Sequence, residues 1–239
     1  MLEWMENDKY SQEAKLYELI GEEVIDVHIK EMLDEILAEY DDVVSKGPHD
    51  IGNCKLVKHD IRLNDKRPIK CKQLPQSAKE NKWIKEQIDE MFKNGVIEPS
   101  TSPYAFNIVI VGKKDGAGEG MDRMCINYSP LNEITEKDSG LIPIIKEYLA
   151  LFHGVKWLTV LDLASAYWQI LLTKRSQKFT AFLIAYRLYQ FKVMPFELVN
   201  APAIFQRLMN DILRDYLRKF CLVYLDDIII YSKSLKDYK

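Results

Sequence analysis

Two short apolar runs separated by a pair of aspartates constrain the fold of this chain more than any other stretch. β-Branched and aromatic residues fill residues 220–225 and 228–232, and Asp226 and Asp227 stand between them. This pattern predicts a β-hairpin with buried strands and two adjacent carboxylates at its turn. Adjacent acids repel each other, so one explanation is a bound cation. Ordinary turn chemistry of aspartate is the other.

A third carboxylate, Asp162, ends another apolar run over residues 157–162. If this run pairs with the hairpin, three carboxylates converge at one end of a sheet. Oxygen ligands of this kind suit Mg²⁺ or Mn²⁺. Two such ions about 3.5–4 Å apart can activate an attacking hydroxyl and stabilise a leaving pyrophosphate. For Asp162 alone, the alternative is a strand-end acid with a local backbone partner.

Composition and motif spacing exclude several classes of protein. The chain has 239 residues and is 47% hydrophobic, which is enough for a sizeable core and unlike a disordered protein. Its four cysteines are widely spaced, with no Cys-x-x-Cys and no His at zinc spacing, and they indicate reduced thiols of an intracellular protein. There is no signal-peptide h-region and no apolar run of membrane-spanning length, so secretion and membrane insertion are not expected.

The charge is divided unevenly along the chain. Residues 1–45 carry 3 Lys and Arg against 14 Asp and Glu, whereas residues 46–239 carry 30 against 22. This split is typical of a chain in which only the basic body meets polyanions. The alternative is an acidic, solvated helix attached to an ordinary domain.

The N-terminal third divides into a helical and an extended part. Residues 12–44 have one apolar stripe per helix, with a break near Gly21, and this stripe predicts docking on the body or on a partner helix. The pattern breaks at residues 46–52. Residues 53–80 are basic, punctuated by Pro and without a helical period. They predict an extended arm laid over the next domain.

The next segment predicts a helix followed by a hairpin. The helix has its apolar stripe between Trp83 and Phe92 and ends at Asn94 and Gly95, a C-terminal glycine signal. Strands follow over residues 104–112 and 123–128, joined by a glycine-rich tip. Lys113, Lys114 and Arg123 flank this tip, and they could close over a triphosphate. A solvated hairpin with scattered charge is the alternative.

The C-terminal half predicts strands over residues 180–184 and 188–193, then a helix. Asn200 is suited to the N-cap of that helix, Pro202 to its first turn, and Leu217 to its end. Its expected core stripe is Ile204, Leu208, Met209, Ile212, Leu213 and Tyr216. With the Asp162 strand before and the hairpin after, this order predicts an α+β fold with helices on one face of an antiparallel sheet.

Several motifs in unbroken order over residues 55–239 resemble the reverse transcriptase of gypsy-type LTR retrotransposons. These are residues 94–100, 113–116, 161–163 with 167–170, 194–196, 200–206 and 224–227. The resemblance implies the fingers and palm subdomains of a right-hand polymerase. It divides the chain into an acidic helical leader (1–46), an extended basic arm (47–80) and fingers with partial palm (81–239).

The resemblance also implies the site residues and the reaction. Asp162, Asp226 and Asp227, with the main chain of Leu163, would hold Mg²⁺ (or Mn²⁺). The incoming dNTP would meet a second set of residues: Lys113, Arg123, the main chain of Leu163 and Ala164, Phe196, and Tyr167, which screens the sugar 2′ position. The expected activity is RNA-directed DNA polymerisation on an RNA or DNA template–primer. A palm-type nucleotide cyclase would share the metal aspartates but would not predict the basic arm.

The sequence departs from this family pattern at several positions. Glu197 stands where the family has Gly, close to the incoming nucleotide, and Ser129 replaces the usual Arg. The tip before Arg123 is longer than usual, and the sequence stops at Lys239, soon after the hairpin strands. We therefore also consider a truncated, catalytically inactive retroelement remnant that keeps the fold and nucleic-acid binding.

Overall fold

The computed structural model describes residues 27–47, 50–111, 123–140, 142–184 and 187–238. Their elements, in chain order, are α1 (Val27–Glu39), β1 (Cys54–His59), α2 (Ala78–Lys93), β2 (Ile97–Pro99), β3 (Ile108–Val111), β4 (Arg123–Ile126), α3 (Ser129–Ile134), α4 (Ile145–Leu151), β5 (Trp157–Asp162), β6 (Ile170–Leu172), α5 (Lys174–Gln177), β7 (Phe182–Ile184), β8 (Arg187–Phe191), α6 (Ala201–Ile212), β9 (Cys221–Tyr224), β10 (Asp227–Ser232) and α7 (Leu235–Tyr238). Short 3-10 helices cover Ala166–Gln169 and Lys178–Thr180.

Only part of the predicted leader lies within the described residues. The break expected near Gly21 is outside them, and α1 ends at Glu39, earlier than the predicted residue 44. Leu37, near the end of α1, and Tyr40, just after it, are about half exposed, so the described residues do not bury the apolar side chains at this end of the helix. None of the helices in the described ranges is long and apolar enough to cross a membrane.

The predicted arm is extended and is bound to the body at several points. β1 pairs in parallel with β6, and isolated bridges join Leu63 to Thr135 and Lys70 to Ala105. A polar cluster adds a further attachment, because the Asp60 carboxylate accepts hydrogen bonds from Arg175, Thr173 and Ser176. The Arg175 guanidinium, with these hydroxyls, holds the pKa of Asp60 well below its usual range.

Helix α2 forms where its apolar stripe predicts it. Ser77 and Glu80 make a reciprocal capping box at its start. Gly95 follows its end with φ +71°, a conformation that glycine adopts readily. Ile84 and Ile88 are buried against the main core.

Three antiparallel units follow the predicted strand pairs. β3 pairs with β4, and the predicted tip between them lies outside the described residues. β8 pairs with both β2 and β7. The third sheet has the order β5-β10-β9 and is antiparallel throughout. These sheets and helices confirm the predicted α+β class.

The two faces of the β5-β10-β9 sheet pack against different groups. Val223 belongs to the main core together with Phe205 of α6. Leu222 and Ile229 instead form a smaller cluster with Tyr148 of α4. Because successive strand residues point to opposite faces, α4 adds cover on a second face that the sequence pattern did not predict.

Helix α6 differs from its prediction at both ends. Asn200 occupies the N-cap position, but its side chain makes no capping bond. Its amide instead donates to the Glu136 carbonyl and accepts from the Asp138 N–H, so tertiary partners replace the expected cap. The helix ends at Ile212 rather than near Leu217. The expected stripe is wrong at Ile212 and Tyr216, which are about half exposed; the buried residues are Ala201, Ala203, Phe205, Gln206 and Met209.

Candidate active site

The strand pairing brings two of the predicted carboxylates opposite each other. β5 and β10 are antiparallel neighbours, and Asp162 is the cross-strand partner of Asp227. Such partners have Cβ atoms about 4.5–5.5 Å apart on the same face of a sheet. Asp226 directly precedes this pair, in the turn between β9 and β10. The pairing that the apolar runs predict is therefore present.

The donor chemistry of this pair suits a hard divalent cation. Two unit negative charges about 5 Å apart repel by an energy on the order of 1–3 kcal/mol, which a bound cation would offset. Carboxylate oxygens are the ligands that such cations prefer. Within the described ranges, no three His, Cys, Asp or Glu side chains lie close enough to form a metal-binding group. Convergence of all three carboxylates therefore stays a prediction.

The hairpin turn is joined to the strand that carries Asp162. The N–H of Leu163 donates to the carbonyl of Asp226 over 3.1 Å. Leu225, the first turn residue, has φ +53°, which is uncommon for a residue other than glycine. The backbone that presents the aspartates is thus fixed both by sheet pairing and by a bond to the adjoining loop.

Aromatic side chains form a wall beside the end of β5. Ser165 has φ +47° and turns the chain into the 3-10 helix that contains Tyr167. The Tyr167 ring lies 5.5 Å from that of Phe196 and 5.6 Å from that of Phe205, measured between centroids. Tyr167 is 7% exposed and Phe196 is 39% exposed, so the first is held rigidly and the second reaches solvent.

Glu197 follows Phe196 in a loop that holds it in an unusual conformation. Its φ is +69°, in the left-handed region that glycine adopts without penalty. The side chain of Asn132 spans this loop: its amide donates to the Glu197 carbonyl over 2.7 Å, and its oxygen accepts from the Val199 N–H over 2.9 Å. The backbone here therefore has the geometry that the family's glycine would favour.

The predicted fingers cations are only partly described. Arg123 is exposed at the start of β4, opposite Val111. Lys113 and Lys114 lie outside the described residues. Ser129, the other departure from the family pattern, begins α3, and its N–H donates to the Asn127 side chain over 3.0 Å.

Two side-chain amides in the site were missed by the sequence reasoning. Gln206 is 1% exposed and hydrogen-bonds to the hairpin, and Asn132 holds the Glu197 loop. The sequence signals for Gln206 are its place at the end of the 200–206 motif and its polarity beside the apolar stripe of α6. Asn132 gives no signal at all, since an Asn in a short helix is ordinary.

An antiparallel sheet with helices that carries paired aspartates at a hairpin is consistent with the palm-like α+β fold of polymerases. Prototype foamy virus protease–reverse transcriptase has the same fold, with a TM-score of 0.79 and 27% identity over 90% of this chain and 28% of that one. The foamy viral protease–reverse transcriptase in complex with an RNA/DNA hybrid is similar, with a TM-score of 0.77 and 25% identity over 92% and 29% of the respective chains.

The sequence matches lead to the same class. Residues 111–239 match the reverse transcriptase (RNA-dependent DNA polymerase) family. The retrovirus-related Pol polyprotein from transposon opus of Drosophila melanogaster is 38% identical over 206 residues, 86% of this chain. The chain belongs to the reverse transcriptase family, as a domain of the kind found in retrotransposon Pol polyproteins. It spans about 20% of the opus relative and under a third of the two foamy viral chains.

Proposed function

We propose that this chain is the fingers and part of the palm of an RNA-directed DNA polymerase from a gypsy-type LTR retrotransposon. It would extend a primer 3′ end with dNTPs on an RNA or DNA template. One observation carries the proposal: Asp162 and Asp227 are cross-strand partners next to Asp226 in a chain of this family. The solved relative bound to an RNA/DNA hybrid supports the template–primer as partner.

In this proposal Asp162, Asp226 and Asp227 bind divalent metal, with Mg²⁺ or Mn²⁺ as the candidates and the Leu163 main chain as a further ligand. Metal bound there would polarise the primer hydroxyl and neutralise charge on the phosphates. These carboxylates would hold the ions in place, because their backbones are fixed by sheet pairing and by the Leu163–Asp226 bond. A site held this firmly loses little free energy to reorganisation.

We assign nucleotide binding to the residues around this edge. The main chain of Leu163 and Ala164 would face the triphosphate, and Arg123 and Lys113 would neutralise it from the fingers. Tyr167 would exclude a 2′-hydroxyl, a role that its buried ring and its packing on Phe205 suit. Phe196 would contact the nucleotide through the part of its ring that is exposed.

We propose the same division of the chain as the sequence indicates: leader (1–46), arm (47–80), and fingers with palm (81–239). The bridges and the Asp60 cluster support an arm that belongs structurally to the body. For the leader, the exposed apolar residues of α1 support a helix partner. None of the four cysteines, all of which lie in the described ranges, is in a disulfide, and this supports the proposal that the protein acts inside the cell.

Metal binding by the aspartates provides the first test. A ligand that binds only the folded state raises its stability, so Mn²⁺ should raise the melting temperature of the chain. The double variant Asp162→Asn, Asp226→Asn should lose that gain, while Asp237→Asn, a control in α7, should keep it. Primer extension by the chain joined to the segment that follows it in the opus relative measures the activity itself. Equal Mn²⁺ stabilisation of the double variant would contradict the site.

A further inference from the structure

Gln206 is a buried amide on α6 to which the roles above give no part. Its oxygen accepts a hydrogen bond from the Leu225 N–H over 2.9 Å. Its nitrogen donates to the Val223 carbonyl over 2.9 Å and to the Asn210 side chain over 3.0 Å. One side chain thus joins the helix to Val223 in β9 and to Leu225, the first residue of the aspartate turn.

We propose that Gln206 is a positioning residue that selects the conformation of the Leu225 turn and thereby places Asp226 and Asp227 for metal binding. The inference rests on the proposed function, because it concerns the same aspartates. Gln206 itself touches neither aspartate through these bonds. It acts on them through the backbone of Leu225.

The turn needs a group of this kind because its own sequence does not favour its geometry. Two-residue hairpin turns with positive φ usually contain Asn, Asp or Gly at the first position. Here the position is Leu225, whose side chain is 8% exposed and whose φ is +53°. The N–H of a residue in this conformation must still find an acceptor when it is buried. The Gln206 oxygen supplies that acceptor, and its nitrogen fixes the preceding strand carbonyl.

The donor and acceptor of the amide act together. Val223 lies on β9 and Leu225 in the turn, so a group bonded to both sets the angle between strand and turn. Gln206 is 1% exposed and packed within α6, which leaves its rotamer little freedom. A polar group this deep in a core is costly unless all its bonds are made, and here they are.

Gln206→Met separates positioning from simple core filling. Methionine keeps the length and nearly the volume of the side chain but loses all three hydrogen bonds. Asn210→Ala is the matched control, because it removes only the bond between Gln206 and Asn210. The bonds from Gln206 to Val223 and Leu225 stay in place. Gln206→Glu is the second variant: it keeps an acceptor for the Leu225 N–H while losing the donor to Val223.

Two measurements on the whole chain test the proposal. Hydrogen exchange of the Leu225 amide, followed by NMR, should be at least tenfold faster in Gln206→Met, while the Leu222 and Ile229 amides change less than twofold. Mn²⁺ affinity, followed by the EPR signal of free Mn²⁺, should weaken at least tenfold. Both values should stay within twofold of the parent chain in Asn210→Ala.

The outcomes distinguish this inference from the proposed function. A folded Gln206→Met chain with unchanged Leu225 exchange, or with unchanged Mn²⁺ affinity, overturns the positioning role. If Gln206→Met does not fold, hydrogen exchange in Gln206→Glu tests the proposal. The Leu225 amide should stay protected in this variant, and exchange as fast as in an open turn would overturn the positioning role. A parent chain that binds no Mn²⁺ refutes the proposed metal site, whereas the exchange measurement still tests the control of the turn by Gln206.

Discussion

Two loops in the described part of the chain stabilise the same unusual backbone conformation in different surroundings. The turn at Leu225 and the loop at Glu197 both hold a non-glycine residue at positive φ. Each is spanned by the amide of a helical side chain, Gln206 in α6 for the first and Asn132 in α3 for the second. The left-handed conformation costs an ordinary residue about 1–2 kcal/mol, so both loops depend on outside bonds.

The difference between the loops lies in what the strained residue does with its side chain. Leu225 is 8% exposed and contributes to the hydrophobic interior, which offsets the strain of its backbone. Glu197 is half-buried and carries a charge, and apolar burial offsets much less of its strain. The comparison teaches that backbone strain alone does not decide whether a glycine substitution stabilises the folded chain. The contacts of the side chain that is removed decide whether the free energy of unfolding rises or falls.

Leu225→Gly should give the largest change in stability, and it should show that the two loops respond differently to glycine. Glycine relieves the positive φ, but it removes a buried leucine, and such truncations cost about 2–5 kcal/mol. Glycine also gains freedom in the unfolded chain. We expect a net loss of about 3 kcal/mol in the free energy of unfolding, measured by urea denaturation. A neutral or stabilising result would show that the Leu225 side chain does not stabilise the turn.

Acidification should destabilise the Glu197 loop but not the turn at Leu225. His59 is 4% exposed and adjoins Asn132, Leu198 and Val199 around a small void. Burial lowers its pKa from 6.5 to about 4. Between these values the unfolded chain binds a proton that the folded chain does not, so stability is complete above about pH 6.5 and falls as the pH drops towards 4. The loss reaches about 3 kcal/mol at most, at 1.36 kcal/mol for each pKa unit.

The control for this pH effect is His59→Gln, since other carboxyl groups also titrate near pH 4. Unfolding free energies of the parent and the variant, compared from pH 7.5 to pH 4, should diverge as the histidine effect disappears. The Val199 amide should exchange faster in the parent at low pH, relative to the variant, while Leu225 should not. Parallel curves for the two proteins would mean that His59 titrates equally in the folded and unfolded states.

The features that the sequence predicts correctly are those encoded within one short stretch of residues. The runs around Asp162 and Asp227 are nearly unbroken stretches of apolar residues, many of them β-branched or aromatic, which are typical of buried strands. Each strand is therefore indicated by its own residues. The glycine signal at Gly95 predicts the end of α2 for the same local reason.

The features that the sequence does not predict depend on distances between segments. Asn200 looks like a cap, yet its amide bonds to the segment before α4, which no local pattern reveals. Gln206 and Asn132 find partners 17 to 67 positions away along the chain. The predicted stripe of α6 wrongly includes Ile212 and Tyr216, which are about half exposed. Periodicity predicts which face of the helix is apolar, but it does not predict how far along the helix the rest of the protein covers that face.

Glu197→Gly should give the smallest change in stability and the clearest change in ligand binding. Glycine relieves the left-handed strain of about 1–2 kcal/mol, and its greater freedom in the unfolded chain offsets about 0.4–1 kcal/mol of this, so we expect a net gain of about 0–1.5 kcal/mol. If Glu197 faces the nucleotide, its carboxylate repels the phosphates. Two unit charges about 4 Å apart interact by about 4 kcal/mol at a dielectric of 20. Half of that energy corresponds to about thirtyfold in affinity.

We therefore expect Glu197→Gly to raise dNTP affinity at least tenfold, measured by fluorescence titration of the primer–template complex. Glu197→Gln is the matched control, because it removes the charge but keeps both the bulk and the positive φ. Equal gains in the two variants would assign the effect to charge, and a gain in glycine alone would assign it to the backbone and the space that glycine leaves. If neither variant changes dNTP affinity, Glu197 does not face the nucleotide. Its left-handed conformation would then matter only for the fold of the loop that Asn132 holds.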